Sequence, residues 1–336
     1  MNAVDLTLIV TVRERFSYSR ESLENLIETA DCPYKLVYVD INSPGPVASY
    51  LKAAAEKHSF TLVRLDHYVS PNEARNIGLR HAEGEYVVFL DNDVEFTPGW
   101  LSALVRCARE ENASLVGPLY LHGRLEDQSV HMAGGDMSFS GTWGSRDFTQ
   151  TQRYFMKNLA EVPESELTRQ QCDIVEFHCA LVRRDVFDRV GGMDEGLLTT
   201  REHLDFCQRV LDSGGTVYFE PESVITYRMP PPFETSDLPY FMLRWSDEWT
   251  RKTLVHFAHK HGIAPSYVQR VAKNRRRRQS LLFQWAEPRI RPVLGSAGTS
   301  VAKKIFSVVE PLGNRLLVTA LTRRGHGGGA GATGTN

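Results

Sequence analysis

Residues 85–96 read EYVVFLDNDVEF, a run of strand-forming residues that leads directly into two aspartates separated by one asparagine. Tyr86 to Leu90 have strong preference for β-structure, and the end of such a strand is ordinarily followed by a turn. In an extended segment, side chains two positions apart point to the same face, so Asp91 and Asp93 can present their carboxylates to one point. The stretch therefore predicts a buried strand that brings paired acids to the edge of a sheet.

The segments around this strand alternate between two patterns. Continuous apolar runs such as LTLIVTV, KLVYVDI and FTLVRL are separated by segments such as VASYLKAAAEKH and WLSALVRCAREE, in which apolar residues recur every three or four positions. This alternation is typical of a parallel sheet covered by helices on both faces. It predicts an α/β fold with a doubly wound sheet, whose ligands bind at the carboxyl ends of the strands. Asp40 ends the second strand, and the paired acids end the fourth.

The remaining chain divides into three further parts. From residue 114 to 233, glycine-rich stretches and strand-like runs such as IVEFHCALV predict a mixed sheet with long loops, which often carry binding sites. Residues 234–290 are rich in Trp, Phe and His and predict a helical C-terminal extension. Residues 291–336 combine a basic amphipathic segment with a glycine-rich tail that is predicted to be disordered.

Composition is that of a globular protein. The 336 residues are 42% hydrophobic and 24% charged. The sequence has no apolar run of membrane-spanning length and no basic leader before its first strand, so a cytoplasmic location is expected. The five cysteines are scattered and lack a CxxC pair, which favours reduced thiols over a disulfide framework or a zinc site.

Charge is distributed unevenly along the chain. Residues 270–336 carry 13 Lys and Arg against two acids, whereas the rest of the chain carries 26 basic and 39 acidic side chains. An acidic body argues against nucleic acid as a partner. The basic tail leaves two interpretations open: a helix in peripheral contact with the anionic inner face of a membrane, or a solvated charge run beside a helix that packs on the domain.

Paired carboxylates at a strand end attract a hard divalent cation. Mg²⁺ or Mn²⁺ bound there would complete its shell with water and substrate phosphates and would neutralise a diphosphate leaving group. The alternative is that the aspartates cap the next helix, which the sequence predicts to start near Thr97 and Pro98.

The segment Ala74 to Asp93, ARNIGLRHAEGEYVVFLDND, resembles the block that ends in the metal-binding acids of family 2 glycosyltransferases, which have the GT-A fold. Three later stretches resemble further blocks of this family: VHMAGG at 130–135, ALVRRDVFDRVGGMDE at 180–195 and EHLDFCQRV at 202–210. The resemblance implies a GT-A domain over residues 1–233, with a nucleotide-binding half (1–113) and an acceptor half (114–233). It also implies that a sugar is transferred with inversion from a nucleoside-diphosphate donor, a UDP-sugar first among them, to a glycan or lipid-linked acceptor, assisted by Mn²⁺ or Mg²⁺.

The resemblance also implies roles for particular residues. Asp91 and Asp93 would bind the metal, and the donor-binding residues would be Val12, Glu14, Asp40, Asn72, Arg75, Asp91, Asn92 and Asp93. The acceptor side would include His178, Gly192 and Asp194. Each role has a structural alternative. Asp40 could simply end a strand before the turn NSPG, Arg75 could be solvated, and His178 could be a core histidine.

Inverting transfer needs a group that takes the acceptor proton as the hydroxyl attacks in line. The family supplies it from a Glu-Asp-type pair at the start of a helix, and here that pair reads Glu202-His203. Glu202 is the predicted base, with His203 and Asp205 as alternatives. The spacing TTRE also fits a capping box from Thr199, in which Glu202 would bond to the backbone.

A second departure from the family pattern concerns a metal-binding histidine. Many members have a metal-binding His after the strand that follows this helix, but this chain has Tyr227 and Arg228 there. Either metal binding is weaker, or Arg228 contributes part of the neutralising charge. His256, His259 and His261 are predicted to lie on a solvated helix face, because acids and cysteines are lacking beside them in the sequence.

Two other functions compete with glycosyl transfer. A glycosyltransferase-like protein could bind glycans or nucleotides without turnover, and the replacements at His203 and Tyr227 make this conceivable. A nucleotidyltransferase has a similar sheet, but its glycine- and lysine-rich first loop is absent from TVRERFSYS. Because Asp91, Asp93 and Glu202 are all present, the sequence favours an active glycosyltransferase.

Overall fold

The computed structural model describes residues 6–123, 125–227, 234–278 and 280–327. The strands are β1 (Leu6–Thr11), β2 (Lys35–Ile41), β3 (Thr61–Leu65), β4 (Tyr86–Asp91), β5 (Val94–Phe96), β6 (Leu115–His122), β7 (Ser129–Met132), β8 (Gly135–Ser140), β9 (Asp147–Gln152), β10 (Gln170–Gln171), β11 (Cys179–Arg183) and β12 (Val217–Tyr227). The helices are α1 (Ser19–Thr29), α2 (Gly45–His58), α3 (Pro71–Leu79), α4 (Trp100–Glu110), α5 (Asp185–Val190), α6 (Glu202–Asp212), α7 (Leu238–Arg244), α8 (Asp247–Lys260), α9 (Ser266–Arg278) and α10 (Glu287–Gly327).

Most strands join one large mixed sheet, which confirms the predicted α/β class. The order across it is β10-β12-β6-β11-β4-β1-β2-β3, with β5 beside β12 and β7 beside β6, while β8 and β9 form a separate hairpin. β1 pairs in parallel with β2 and β4, whereas β11 is antiparallel to β4 and β6. In the register of β1 and β4, Thr11 lies opposite Asp91. The loops that follow these two strands therefore begin side by side at one edge of the sheet.

The central strands are buried on both faces because helices cover each side. Leu8 and Val88 belong to the core on one face, whereas Ile9 and Phe89 belong to the core on the other. A continuous apolar run buries its residues alternately on the two faces when helices cover both faces of the sheet. A Cβ atom at Gly78 of α3 would lie 2.3 Å from Cγ2 of Ile9, so glycine allows α3 to pack closely on β1.

The C-terminal helices pack on the edge of the sheet where β1 and β4 end. Just before α7, the Asp237 carboxylate accepts hydrogen bonds from the backbone N–H groups of Phe16 (2.8 Å) and Ser17 (3.1 Å) in the loop after β1. The Tyr240 hydroxyl of α7 donates to the carbonyl oxygen of Val69 at 3.3 Å. The helical extension is thus attached directly to the edge at which α/β sheets bind ligands.

The helix that follows the paired acids begins later than predicted. α4 starts at Trp100, after Gly99 in the left-handed region (φ 86°), and not at Thr97 or Pro98. Strand β5 lies between the acids and this helix. Because β5 intervenes, Asp93 cannot cap α4, and the capping alternative for the acids is wrong.

The last helix, α10, is interrupted at Gly295, whose φ is 60° and ψ −159°. Within the described residues, none of the helices has both the length and the hydropathy needed to span a lipid bilayer. The end of the predicted glycine-rich tail, residues 328–336, lies outside the described residues, as does Arg228.

Candidate active site

A cavity of about 580 Å³ opens at the edge where β1 and β4 end. Elements from the whole length of the chain line it, from the loop after β1 to helix α9, which contributes Val271 and Asn274. Its charged side chains in the described residues are Asp91, Glu176, Glu202, Arg13, Arg75, Arg201 and Arg244. The cavity therefore combines carboxylates with a larger number of guanidinium groups.

Asp91 is the last residue of β4 and faces this cavity. Its Oδ1 accepts a hydrogen bond from Nη2 of Arg75 at 3.0 Å, and its Oδ2 accepts one from Nδ1 of His178 at 3.0 Å. Burial alone would raise the pKa of Asp91, but the His178 hydrogen bond and the charge of Arg75 outweigh it and lower the pKa to about 2. Asp91 is therefore ionised at neutral pH, at the predicted strand end.

Asp93 is fully buried just after this strand end and does not line the cavity. Its Oδ2 lies 3.3 Å from Nη2 of Arg15, while its Oδ1 has no hydrogen-bond partner among the described residues. Burial raises the pKa of Asp93. Asn92 lies between the two acids and supports the loop after β1, because its Nδ2 donates to the Arg15 carbonyl oxygen at 2.6 Å and its Oδ1 accepts from the Arg13 N–H at 3.0 Å.

The donor atoms at this strand end suit a divalent cation. Asp91, Asp93 and His178 each offer one ligand atom, and these atoms all lie within 4.8 Å of one another. A buried oxygen without a partner, as at Asp93, costs free energy unless a donor or a cation approaches it. Two carboxylates and an imidazole are suitable ligands for Mn²⁺. His178, predicted as an acceptor residue, thus lies beside the predicted metal ligands.

Of the predicted donor-binding residues, Arg75 and Asp91 line the cavity, and the other six lie outside its lining: Val12, Glu14, Asp40, Asn72, Asn92 and Asp93. Val12 is buried in the core on one face of the sheet. The Asp40 carboxylate accepts hydrogen bonds from the N–H of Ser43 (2.8 Å) and from its hydroxyl (2.9 Å), and it forms an ion pair with Arg64. These contacts close the turn that follows β2, which is the structural alternative for Asp40.

Glu14 is held in a buried polar network behind the cavity wall. Its carboxylate accepts hydrogen bonds from the Tyr227 hydroxyl (3.2 Å) and from Nε1 of Trp245 (2.9 Å). Burial would raise the pKa of Glu14, but the charges of Arg13 and Arg15 outweigh it and lower the pKa. A carboxylate bound in this way stays charged and keeps the nearby arginines oriented.

Asn72 and Arg75 connect helix α3 to the loop before α6 and to the end of β4. Nδ2 of Asn72 donates to the carbonyl oxygen of Asp194 at 2.7 Å, and its Oδ1 accepts from Nη1 of Arg75 at 3.3 Å. Arg75 is buried and lies over the ring of Phe177. Since Arg75 lines the cavity and binds Asp91, the structure does not leave it solvated on the helix surface.

A carboxylate surrounded by histidines forms another part of the lining. Oε2 of Glu176 lies 3.2 Å from Nε2 of His178, and Oε1 lies 3.5 Å from Nε2 of His131 and 3.9 Å from Nε2 of His203. Burial would raise the pKa of Glu176, but its histidine neighbours outweigh it and hold the pKa well below its ordinary value. His203, the alternative base, therefore lies in the cavity next to an ionised carboxylate.

Glu202 begins helix α6 at the cavity. The preceding residue, Arg201, is the N-cap and has φ 72°, and its side chain makes no capping bond. The capping box from Thr199 is therefore wrong, because the positive φ of Arg201 moves the helix start beyond the reach of the Thr199 hydroxyl. Oε1 of Glu202 lies 3.9 Å from Nη2 of Arg244, and Oε2 has no hydrogen-bond partner among the described residues.

Asp205, the third candidate base, does not line the cavity. Its buried carboxylate binds Nε of Arg209 at 2.9 Å, Nζ of Lys260 at 2.8 Å and Nε2 of His261 at 2.9 Å. The basic end of α8 thus draws this side chain away from the cavity. The prediction that the histidines of this segment share a solvated face is wrong for His261, which is buried against Asp205.

Gly192 and Asp194, predicted on the acceptor side, lie in the loop between α5 and α6. The Gly192 carbonyl oxygen accepts from Nη2 of Arg209 at 3.0 Å, and the Asp194 carboxylate binds Lys260 at 2.5 Å and His256 at 3.0 Å. Neither residue lines the large cavity. These contacts fix the loop on α6 and α8.

The comparisons with known proteins agree with this architecture. The model of the family described as glycosyl transferase family 2 matches residues 7–191, which is more than half of the chain. The chain belongs to glycosyl transferase family 2. The matched segment contains Asp91, at the end of β4, and His178, just before β11.

Curated relatives of this family 2 chain are similar over about two thirds of its length. A pre-mycofactocin glycosyltransferase of Mycobacterium tuberculosis is 24% identical over 228 residues, which is 66% of this chain and 42% of that protein. Polypeptide N-acetylgalactosaminyltransferase 13 of Rattus norvegicus is 23% identical over 222 residues, covering 63% of this chain and 33% of that protein. The chain thus spans less than half the length of these relatives.

Solved structures with the same fold include two glycosyltransferases. A crystal structure of GalNAc-T7 with UDP, GalNAc and Mn2+ matches 82% of this chain and 54% of that chain, with a TM-score of 0.52 and 16% identity. Mannosyltransferase PcManGT from Pyrobaculum calidifontis in complex with GDP-Man and Mn2+ matches 95% of this chain and 84% of that chain, with a TM-score of 0.51 and 18% identity. The predicted GT-A fold is confirmed.

Several cavity residues of this family 2 chain were not predicted. Arg13 lies between two residues that were, and its guanidinium group is 4.2 Å from the centroid of the Tyr227 ring. Glu176 precedes His178 by two positions, a spacing that puts both on one face of an extended segment. Arg244 lies 231 residues from Arg13 in the sequence, where local patterns give no signal.

Proposed function

We propose that this chain transfers a sugar from a nucleoside-diphosphate donor to an acceptor hydroxyl with inversion at the anomeric carbon. The observation that carries the proposal is the joint placement of ionised Asp91 and of Glu202 in one cavity of about 580 Å³, a volume suited to small-molecule substrates. UDP-sugars are the first donors to test. GDP-mannose is the second, since the structural neighbours are complexes with UDP and with GDP-Man.

The arginines of the cavity would stabilise the diphosphate of the donor. Arg13 and Arg244 line it together, and Arg244 donates to the backbone carbonyl oxygen of Arg13. Arg75 also lines the cavity, and its guanidinium group forms an ion pair with Asp91. Guanidinium groups form strong charge-assisted hydrogen bonds to phosphate, and fixed donors of this kind stabilise negative charge as it develops on a leaving group.

Asp91 and Asp93 are the residues that would hold a divalent cation, with His178 close enough to take part. The donor set of oxygens and one imidazole fits Mn²⁺ better than a strictly oxygen-binding ion. When bound, such a cation neutralises charge on the diphosphate leaving group. The chain itself supplies the ionised Asp91, which its hydrogen bonds keep deprotonated.

Glu202 is the proposed base. Glu202 lines the cavity and its buried Oε2 has no hydrogen-bond partner among the described residues, so the carboxylate can accept the acceptor proton as the hydroxyl attacks the anomeric carbon from the side opposite the diphosphate. A single in-line displacement of this kind inverts the anomeric configuration. His203 remains the alternative base because it also lines the cavity, whereas the ion pairs of Asp205 occupy its carboxylate.

The direct experiment measures release of nucleoside diphosphate from a panel of UDP- and GDP-sugars with Mn²⁺ and without an added acceptor. Slow donor hydrolysis is expected for at least one donor, since water can replace the acceptor hydroxyl. A protein that binds glycans or nucleotides without turnover would show nucleotide-dependent thermal stabilisation and no release with any donor or acceptor. That outcome would replace the enzymatic proposal with the binding one.

The acceptor is proposed to be a glycan or a lipid-linked sugar reached at a membrane surface. On α10, large aliphatic side chains are 54–75% exposed at positions 301, 305, 308, 309, 312 and 316. This spacing puts them on one helical face. Lys303, Lys304 and Arg315 lie on the same helix. An exposed apolar stripe beside basic residues is typical of a helix that lies on an anionic membrane, here the inner face.

Vesicle sedimentation tests this part of the proposal. Full-length protein should sediment with anionic vesicles, and the double variant Ile305→Glu/Leu312→Glu should stay in the supernatant with its donor hydrolysis unchanged. Ser307→Glu adds a charge on the exposed surface of the same helix outside the stripe and should still sediment. Equal sedimentation of both variants would exclude the stripe as the contact.

A further inference from the structure

One cluster of metal-ligating side chains lies apart from Asp93 and is not explained by donor binding. It consists of His131 at the end of β7 and of Glu176 and His178, which precede β11. The Glu176 carboxylate lies between the two imidazoles, 3.5 Å from Nε2 of His131 and 3.2 Å from Nε2 of His178. One ligand atom from each of the three residues lies within 4.8 Å of the other two.

We propose that His131, Glu176 and His178 form a binding site for a divalent transition-metal cation, separate from the cation at Asp91 and Asp93. Metal bonds of about 2.0–2.2 Å to nitrogen and oxygen give separations of about 3.0–3.5 Å between neighbouring ligand atoms. The separations from Oε2 of Glu176 to His178 and from its Oε1 to His131 fall in that range, so the carboxylate can reach a cation held by both imidazoles. Two imidazoles and one carboxylate favour Zn²⁺, Co²⁺ or Mn²⁺ over Mg²⁺, which prefers oxygen ligands.

The groups around the cluster are arranged as they are around metal ligands. Nδ1 of His178 lies 3.0 Å from Oδ2 of Asp91, and a proton held on Nδ1 would leave Nε2, the nitrogen nearer Glu176, to bind a cation. A carboxylate behind a metal-binding histidine fixes its tautomer in this way. Nε2 of Gln152 donates to Oε1 of Glu176 at 2.6 Å, and Tyr120 accepts from the Glu176 N–H at 3.0 Å. The ligands are therefore oriented before any cation arrives.

Arg13 is the nearest competing cation. Its Nη1 lies 2.5 Å from Nε2 of His178, so a metal ion at this nitrogen requires the guanidinium group to turn into the cavity that it lines. Removing this charge should increase metal affinity, because Arg13 Nη1 lies 2.5 Å from both ring nitrogens of His178. Arg13→Gln thus separates metal binding from a simple network of charged hydrogen bonds, in which loss of Arg13 brings no gain in cation affinity.

The inference does not depend on sugar transfer, because it concerns binding of the metal alone. Tag-free protein, stripped with a chelator and free of nucleotide, is titrated with Co²⁺ and followed by its visible absorption and by equilibrium dialysis. We expect one Co²⁺ per chain at these residues, bound more tightly than Co²⁺ at Asp91 and Asp93, and displaced by Zn²⁺ but not by equimolar Mg²⁺. His131→Gln and His178→Gln should each weaken this binding at least about tenfold.

Two variants serve as controls. His58→Ala removes an exposed histidine of α2, and Asp93→Asn alters the other predicted cation site, so both should bind Co²⁺ as the unaltered protein does. The melting temperature of the unaltered protein should rise when Zn²⁺ is added, and this measurement needs no variant. The proposal would be overturned if Co²⁺ binding were unchanged in both His131→Gln and His178→Gln, or if Asp93→Asn abolished it. It would also be overturned if Zn²⁺ neither bound to the unaltered protein nor stabilised it.

Discussion

Replacing Glu202 by glutamine separates catalysis from stability. Glu202 is the first residue of α6, its Oε2 has no partner among the described residues, and its Oε1 lies 3.9 Å from Arg244. Loss of a negative charge at a helix start costs about 0.3–1 kcal/mol, and loss of a loose ion pair costs up to about 1 kcal/mol. Arg244 keeps its bond to the Arg13 carbonyl oxygen. The free energy of unfolding should therefore fall by no more than about 2 kcal/mol.

The effect on the reaction should be larger than this. Removing a positioned general base lowers the rate about 10²–10⁴-fold, which is about 2.7–5.4 kcal/mol in activation free energy. Transfer by Glu202→Gln should therefore fall at least about a hundredfold with donor affinity close to that of the unaltered protein. The assays are steady-state transfer, calorimetric donor binding and thermal melting on the same preparations.

A matched acid-to-amide change on the same helix provides the control. Asp205→Asn disrupts a buried ion network outside the cavity and should cost about 1.5–3 kcal/mol of stability, with the chemical step unaffected at temperatures where the variant is folded. Full transfer activity in Glu202→Gln, together with its loss in His203→Ala, would assign the base to His203 and refute the reasoning.

Two further predictions concern stability. Gly78→Ala should cost about 1–3 kcal/mol in denaturant unfolding, because the new Cβ would lie 2.3 Å from a side chain of β1, whereas Gly45→Ala, with open space around its Cβ, should be neutral or slightly stabilising. Equal effects would contradict the packing of α3. Burial opposes ionisation of Asp194, but hydrogen bonds from Lys260 and His256 lower its pKa to about 2. The stabilisation, reduced to about 1 kcal/mol because solvent screens this partly exposed group, is complete above the unfolded pKa near 4 and is lost as pH falls towards 2. Acid titration of Asp194→Asn should lack this part of the slope, and an unchanged slope would exclude it.

The sheet was predictable because its signals are local. Each strand is a short apolar run and each crossover helix has its own period, so Ala74 to Asp93 identifies a helix, a strand and the acids that end it without reference to distant residues. The parallel register that puts Thr11 beside Asp91 follows from this order of elements. The family resemblance supplied the predicted metal-binding role of Asp91 and Asp93. The match to residues 7–191 confirms the family.

The walls of the cavity were less predictable because they depend on contacts distant in sequence. Arg244 meets Arg13 only because Asp237 fixes α7 to the loop after β1. Glu202 and Asp205 are three residues apart, yet the ion pairs of α8 hold Asp205 outside the cavity. The capping box failed because one backbone angle, φ 72° at Arg201, changed where the helix begins. Such features follow from tertiary packing and not from spacing.

Calorimetric titration of a nucleoside diphosphate, with Mn²⁺ or with chelator, tests most directly whether Asp91 and Asp93 hold the donor through a divalent cation. Unaltered protein should bind the nucleotide at least about tenfold more tightly with Mn²⁺. Asp93→Asn should abolish this dependence while keeping the melting temperature within a few degrees, and His58→Ala should retain it. Equal nucleotide binding by the unaltered protein with Mn²⁺ and with chelator would contradict the account.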